Sequence, residues 1–169
     1  HNCRTIEFMP EHKRDKILSE TMYIFIPLAH RLGLYGVKSE MEDIWLRFKE
    51  PEAFNDITAK INRNIRNKDQ EINDFIAPID AALNAAGFRF EIKKRVKTPY
   101  SIWNKMNTKG VTFDQIYDLY AVRIIFDPNQ TTETERDQCY HIFSIITGIH
   151  RYKAARLRVC VNYPQINGY

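Results

Sequence analysis

The chain has 169 residues, 44% of them hydrophobic and 12% aromatic, with a formal charge of +4, a composition suited to one good core or two small ones. No apolar stretch approaches the ~20 residues that span a bilayer, and the opening residues are too polar for a signal peptide, so the cytoplasm is the expected compartment and no membrane is implied. Cys3, Cys139 and Cys160 are isolated thiols without CxxC spacing, which suggests neither a disulfide framework nor a zinc site.

The first half reads as helices. Ile17, Thr21, Ile24, Leu28 and Leu32 fall at helical spacing, with Pro27 as a site for a kink and Gly33 where a left-handed cap would close the helix. A second helix carries Met41, Ile44, Trp45 and Phe48 on one stripe and ends at Pro51. A third is marked by Phe54, Ile57, Ile61 and Ile65, and a fourth by Ile72, Phe75, Ile76, Ile79 and Leu83, closing at Gly87.

Beyond Gly87 the period changes to two. Phe88, Phe90 and Ile92 alternate with Arg89, Glu91 and Lys93, as in a strand with one face in the core, and Leu119 to Phe126 reads as a second strand. Between them Thr98 is placed as an N-cap and Pro99 as the first residue of a helix that turns Ile102, Trp103 and Met106 inward. A last helix runs from Thr134 to about His150, with Cys139, Ile142, Phe143, Ile146 and Ile149 on its apolar side. The expected class is therefore α+β, a helical segment followed by an α/β unit, with the boundary near residues 66 to 70.

The segment "KKRVKTPYSIWNKM", Lys93 to Met106, holds five cations and no acid. Helix surfaces usually mix signs, so an uncompensated run is suited to an anion. On a strand Arg95 and Lys97 share a face, and Ser101 and Lys105 share a side of the following helix. The two pairs would surround a helix N-terminus, whose free N–H groups and dipole favour phosphate. Guanidinium grips phosphate with two hydrogen bonds and lysine adds compact charge, so a polyphosphate is the expected guest. Magnesium would accompany it, bound through one or two carboxylates plus phosphate oxygens. Asp118, just ahead of the second strand, is the candidate ligand and Asp114 its competitor, set against a plain strand-entry role. The competing reading of the run is a solvated basic edge or an RNA surface with Tyr100 and Trp103 as stacking platforms, although Trp103 shares the spacing of core positions.

Arg95-x-Lys97, Ser101-Ile102 and Lys105-Met106, then "FDQIYDLYAVRI" and finally "NGY", resemble the synthetase domain of the RelA/SpoT homologue family, enzymes that make and degrade (p)ppGpp. Upstream, "PLAHRLGLYGVKSEMEDIWLRF" is similar to the helices joining hydrolase to synthetase in two-domain members. "HNCRT" resembles the end of the hydrolase metal motif, which makes Asn2 a hydrolase remnant. The resemblance implies a nucleotidyltransferase-like mixed sheet flanked by helices. It divides the chain into residues 1–66, the end of a hydrolase domain with connecting helices, and 67–169, part of a synthetase domain.

The reaction it implies is transfer of the β,γ-pyrophosphate of ATP to the 3′-hydroxyl of GDP or GTP, the stringent-response transferase activity, with Mg2+ as cofactor. Arg95 would contact the ATP base and phosphates, Lys97, Ser101 and Lys105 would hold the phosphate chain, and Asp118 would bind magnesium. Tyr169 would stack on the acceptor guanine, Asn167 and Gly168 would shape that loop, and Arg156 and Arg158 would add basic character beside it. Two departures bear on the acceptor side. Val159 stands where the family's basic motif has an acid, and Gln165 where it usually has a lysine. The family's second catalytic glutamate follows "NGY", so these 169 residues by themselves are expected to be an inactive internal piece of a longer enzyme, with ribosome or tRNA contacted only through other parts. The alternatives are a regulatory or nucleotide-binding module built on a degenerate synthetase region, and an RNA-binding basic domain.

Overall fold

The computed structural model describes residues 2–116, 118–128 and 133–162, the side chain of Arg156 excepted. It forms two compact units. One holds the described residues up to Asn64 together with those of Val96–Tyr120, and the other holds Ile65–Arg95 with the described residues from Ala121 onward.

In the first unit, α1 (Glu11–Glu20) leads into a π-helical turn (Thr21–Phe25) and α2 (Ile26–Arg31). The expected apolar stripe does not survive this turn. Leu18, Thr21, Ile26 and Ala29 are buried, while Ile24, Leu28 and Leu32 are exposed. A π turn inserts one extra residue and so rotates everything after it by about 100°. Its cause is Pro27, which has no N–H to give and whose ring would collide with the carbonyl four residues back. Gly33 closes α2 at φ 70°, with Leu34 N–H donating to the Ala29 carbonyl at 2.9 Å, a left-handed cap as expected.

Helix α3 (Tyr35–Lys49) buries Glu42 and Leu46, whereas the expected stripe of Met41, Ile44, Trp45 and Phe48 is half-buried. The helix is enclosed on more than one side. Glu42 is tolerated inside because Lys38 Nζ, one turn earlier, donates to its carboxylate at 2.5 Å. Pro51 does not merely end this helix. It begins the next, α4 (Pro51–Ala85), as the residue whose missing N–H costs nothing at a helix start.

Helix α4 runs unbroken where two helices were expected. Residues 66–71, exposed throughout, contain neither glycine nor proline and are mostly good helix formers, so nothing stops the helix between its two apolar stretches. Ile57 and Ile61 are buried on the first, Ile79 and Leu83 on the second.

In the second unit, Gly87 (φ 78°) turns the chain out of α4 into β1 (Arg89–Val96), which pairs with β2 (Tyr120–Asp127) in a two-stranded antiparallel sheet among the described residues. Both strands alternate exposed and half-buried residues, with β1 losing the pattern at Lys94. Helix α6 (Glu135–Ile149) starts on a capping box between Thr134 and Asp137. Ile79, Leu83, Phe88 and Ile142 form the centre of this core, joined by Phe90, Ile92, Ile124, Phe126, Ile145 and Ile146. The chain is α+β, and no helix among its described residues is long and apolar enough to cross a membrane.

Candidate functional site

Four of the five cations in the basic run have an acidic partner outside it, three acids serving the four of them. Lys93 pairs with Glu91 at 3.0 Å and Lys94 with Asp69 of α4 at 3.7 Å. Lys97 and Lys105 both reach Asp118. Arg95 alone has no acidic partner among the described residues and is exposed on β1.

The Lys97–Asp118–Lys105 arrangement is built by three local choices. Strand pairing continues one residue past β1, where Lys97 N–H donates to the Leu119 carbonyl at 2.9 Å, which sets Lys97 beside residue 118. Helix α5 (Pro99–Lys109) then starts on Thr98, whose side chain accepts from Ser101 N–H, and carries Lys105 back toward the same place. A short 3-10 helix, Phe113–Gln115, buries Phe113 on a capping box made by Thr112 and Gln115 and precedes Asp118, which lies just ahead of the start of β2.

Lys97 Nζ donates to Asp118 Oδ2 at 2.8 Å and Lys105 Nζ to Oδ1 at 2.6 Å. The lysine side chains are 26% exposed and the aspartate 54%, so the cluster opens to solvent on the carboxylate side. The hydrogen bonds from Lys105 and then Lys97 hold the Asp118 carboxyl well below the usual carboxylate range. Asp114, the competitor for the metal, is exposed on the 3-10 helix.

The N-terminus of α5 is not open to an anion, contrary to expectation. Pro99 has no N–H, Tyr100 N–H donates to Asp43 Oδ1 of α3 at 2.9 Å, and Ser101 N–H donates to Thr98 Oγ1 at 3.3 Å. The next amide, Ile102, is bonded to the Thr98 carbonyl at 3.1 Å. Ser101 Oγ, expected to face phosphate, accepts from the Thr98 hydroxyl at 2.9 Å. The helix end therefore leaves none of these three amides free for an anion, and the nearby cations, Lys97 and Lys105, are held on Asp118. Tyr100 and Trp103 are likewise packed, each within 6.2 Å of the Trp45 ring centroid on α3, so neither is a free stacking platform.

Asp43 is the residue that the sequence reading missed. Its signal was weak, because it lies across α3 from the stripe of Met41, Trp45 and Phe48, a position that ordinarily faces solvent. The remaining sequence-derived positions are scattered. Arg158 is exposed and Asn2 is exposed in the opening turn. The Arg156 side chain and Gln165, Asn167, Gly168 and Tyr169 lie outside the described residues.

As a metal site the cluster offers one carboxylate. No group of three or more His, Cys, Asp or Glu gathers among the described residues, and two ammonium groups flank Asp118. That donor set does not fit a resident ion. It would suit magnesium arriving with phosphate, an ion that usually takes one or two carboxylates plus phosphate oxygens, with Asp118 as the residue that would hold it.

Comparison with known proteins gives a consistent picture. The family described as a region found in RelA / SpoT proteins matches residues 94–169. Over the whole chain, 32% of residues are identical to a GTP pyrophosphokinase of Myxococcus xanthus, of which the match covers 21%. A guanosine-3′,5′-bis(diphosphate) 3′-pyrophosphohydrolase of Aquifex aeolicus is 32% identical over 99% of the chain and 23% of its own length. The bifunctional (p)ppGpp synthase/hydrolase SpoT of Escherichia coli is 30% identical over the whole chain and 23% of its own length. The chain thus spans between a fifth and a quarter of these relatives.

Proposed function

The chain belongs to the RelA/SpoT family, and from that premise we propose that the protein carrying it synthesises (p)ppGpp by moving the β,γ-pyrophosphate of ATP to the 3′-hydroxyl of GDP or GTP. Residues 1–66 would be the end of a hydrolase domain with its connecting helices, and 67–169 part of the synthetase domain. The observation that carries the reading is the pair Lys97 and Lys105 closing on the single carboxylate of Asp118.

In this reaction the acceptor oxygen bonds to the β-phosphorus, the bond from that phosphorus to the α,β-bridging oxygen breaks, AMP leaves, and the hydroxyl proton passes to solvent or a base. Catalysis of such a transfer is mostly positioning and charge neutralisation. Lys97 and Lys105 would take the phosphate oxygens of the donor, and Arg95 is assigned to the ATP base and phosphates by resemblance. Asp118 keeps the two ammonium groups together before the nucleotide arrives and would then hold Mg2+. Bound there, the metal supplies further charge neutralisation on the phosphates. Arg156, Arg158, Asn167, Gly168 and Tyr169 are assigned to the guanine acceptor by resemblance.

The test is synthesis from ATP and GDP by the full-length protein. Asp118→Asn and Lys105→Ala should each remove most turnover while circular dichroism stays unchanged. Wild-type turnover in both variants would sink the assignment. Hydrolase names among the relatives support one second reading, in which the protein degrades (p)ppGpp and this region only binds nucleotide. Hydrolysis without synthesis in the same assay would favour it.

A further inference from the structure

The N-terminal turn of α5 is bracketed by the two lysines that grip Asp118. Lys97 stands one residue before the Thr98 cap, and Lys105 is mounted on the helix that this cap starts. Any change in the direction of that first turn moves one lysine relative to the other. Thr98 fixes the turn from within, through Ser101 N–H and the Ser101 hydroxyl. A second group fixes it from outside.

That group is Asp43. Its Oδ1 accepts the Tyr100 N–H at 2.9 Å, and the bond joins residues 57 apart in sequence. The carboxylate is half-buried. In the same contact between α3 and α5, Trp45 meets Tyr100 edge-on with ring centroids 6.2 Å apart, Trp45 and Trp103 are 6.0 Å apart, and Tyr100 and Trp103 are 5.8 Å apart. The Tyr100 hydroxyl also reaches Met22 Sδ at 3.9 Å. A carboxylate near the start of a helix interacts favourably with the N–H groups and the dipole. It also occupies the place in which a phosphate would otherwise sit.

We infer that Asp43 is a positioning residue for the Lys97–Lys105 pair: by capping Tyr100 it fixes the first turn of α5, so that both ammonium groups converge on Asp118. The inference rests on the nucleotide reading only for its ligand, because the convergence exists without one. Burial pushes the Asp43 carboxyl up from its usual range while the Tyr100 N–H pulls it down, the signature of a carboxylate kept in place by one bond against a desolvation cost. The aromatic contacts hold α3 against the same turn.

The experiment compares Asp43→Ala and Asp43→Asn in the full chain. Hydrogen exchange at the Tyr100 amide reports the cap, the 13C resonance of the Asp118 side-chain carboxyl at neutral pH reports the lysine clamp, and calorimetry with ATP and Mg2+ reports binding. Asp43→Ala should speed exchange, shift the Asp118 resonance, and raise the ATP dissociation constant about three- to tenfold, the size of effect that one lost helix cap produces. Asp43→Asn, whose side-chain oxygen still accepts, should restore all three to near wild type. Faster exchange with an unmoved Asp118 resonance and unchanged ATP affinity would overturn the inference and leave Asp43 a plain helix cap. If the wild type binds no ATP, the nucleotide reading fails and the Asp118 resonance alone decides the positioning. Should Asp43→Ala not fold, Asp43→Glu, which displaces the carboxylate by one methylene, must still shift that resonance, and an unshifted one counts against the proposal.

Discussion

Lys105 Nζ donates to Asp118 Oδ1 at 2.6 Å across 13 positions of sequence, while Lys97 takes the other oxygen of the same carboxylate. The acid is thereby held below its ordinary range, so the unfolded chain binds this proton more readily than the folded one. Stability from the cluster is then fully present above the ordinary aspartate pKa of about 3.9 and is lost as pH falls below it. Thermal melts from pH 6 downward should show an acid-side loss that Asp118→Asn flattens. An identical acid limb in the variant would mean that the two lysines contribute nothing to folding.

Asp118→Asn should also separate phosphate binding from metal binding. Without the carboxylate the two lysines have lost their internal counter-ion, so the affinity for metal-free tripolyphosphate should rise by a few fold. The additional affinity gained on adding Mg2+ should fall. Lys97→Ala and Lys105→Ala should each weaken tripolyphosphate binding about tenfold, the scale of one charge-assisted hydrogen bond. Calorimetry with and without magnesium distinguishes these outcomes.

Trp45 closes the contact between α3 and α5 by packing on Tyr100 and Trp103. Trp45→Ala should destabilise by about 2 kcal/mol, below the range for a fully buried tryptophan because the side chain is only half-buried. Trp45→Phe should recover most of that loss. Chemical denaturation measures both, and the remaining Trp103 fluorescence should shift red in the alanine variant as water reaches its ring.

Two glycines should respond to the same substitution with opposite signs. Gly110 ends α5 at φ 62°, and a Cβ there would meet nothing within 4 Å. Gly110→Ala therefore costs only the backbone term, about 1 kcal/mol. Gly36 lies inside α3 with equally open space and no positive φ, so Gly36→Ala should stabilise by about 0.5 kcal/mol through helix propensity. Urea midpoints for the pair test whether the left-handed cap is formed in solution.

Local chemistry was legible in the residues themselves. Thr98 and Pro99 announced the start of α5, Gly33 and Gly87 the ends of α2 and α4, Thr134 the start of α6, and the alternation from Phe88 to Ile92 the first strand. Each depends on neighbours within about four positions, where backbone sterics and one hydrogen bond settle the outcome. The order of basic and acidic residues from Arg95 to Asp118 likewise carried the family resemblance.

Only the tertiary structure decided what those charges and faces do. The run that reads as uncompensated meets acids at three of its lysines, Asp69 beside Lys94 and the single carboxylate of Asp118 shared by Lys97 and Lys105, because ion pairs form wherever folding brings opposite charges together, at any separation in sequence. A single inserted residue at the π turn moved Ile24, Leu28 and Leu32 from the expected core to the surface, since helical phase accumulates and one slip propagates. At the start of α5 the Tyr100 N–H is taken by Asp43, 57 positions away. Periodicity shows which face of an element is apolar and which residues can cap it, but the group that finally meets that face or that cap belongs to another element, and its arrival is fixed by packing alone.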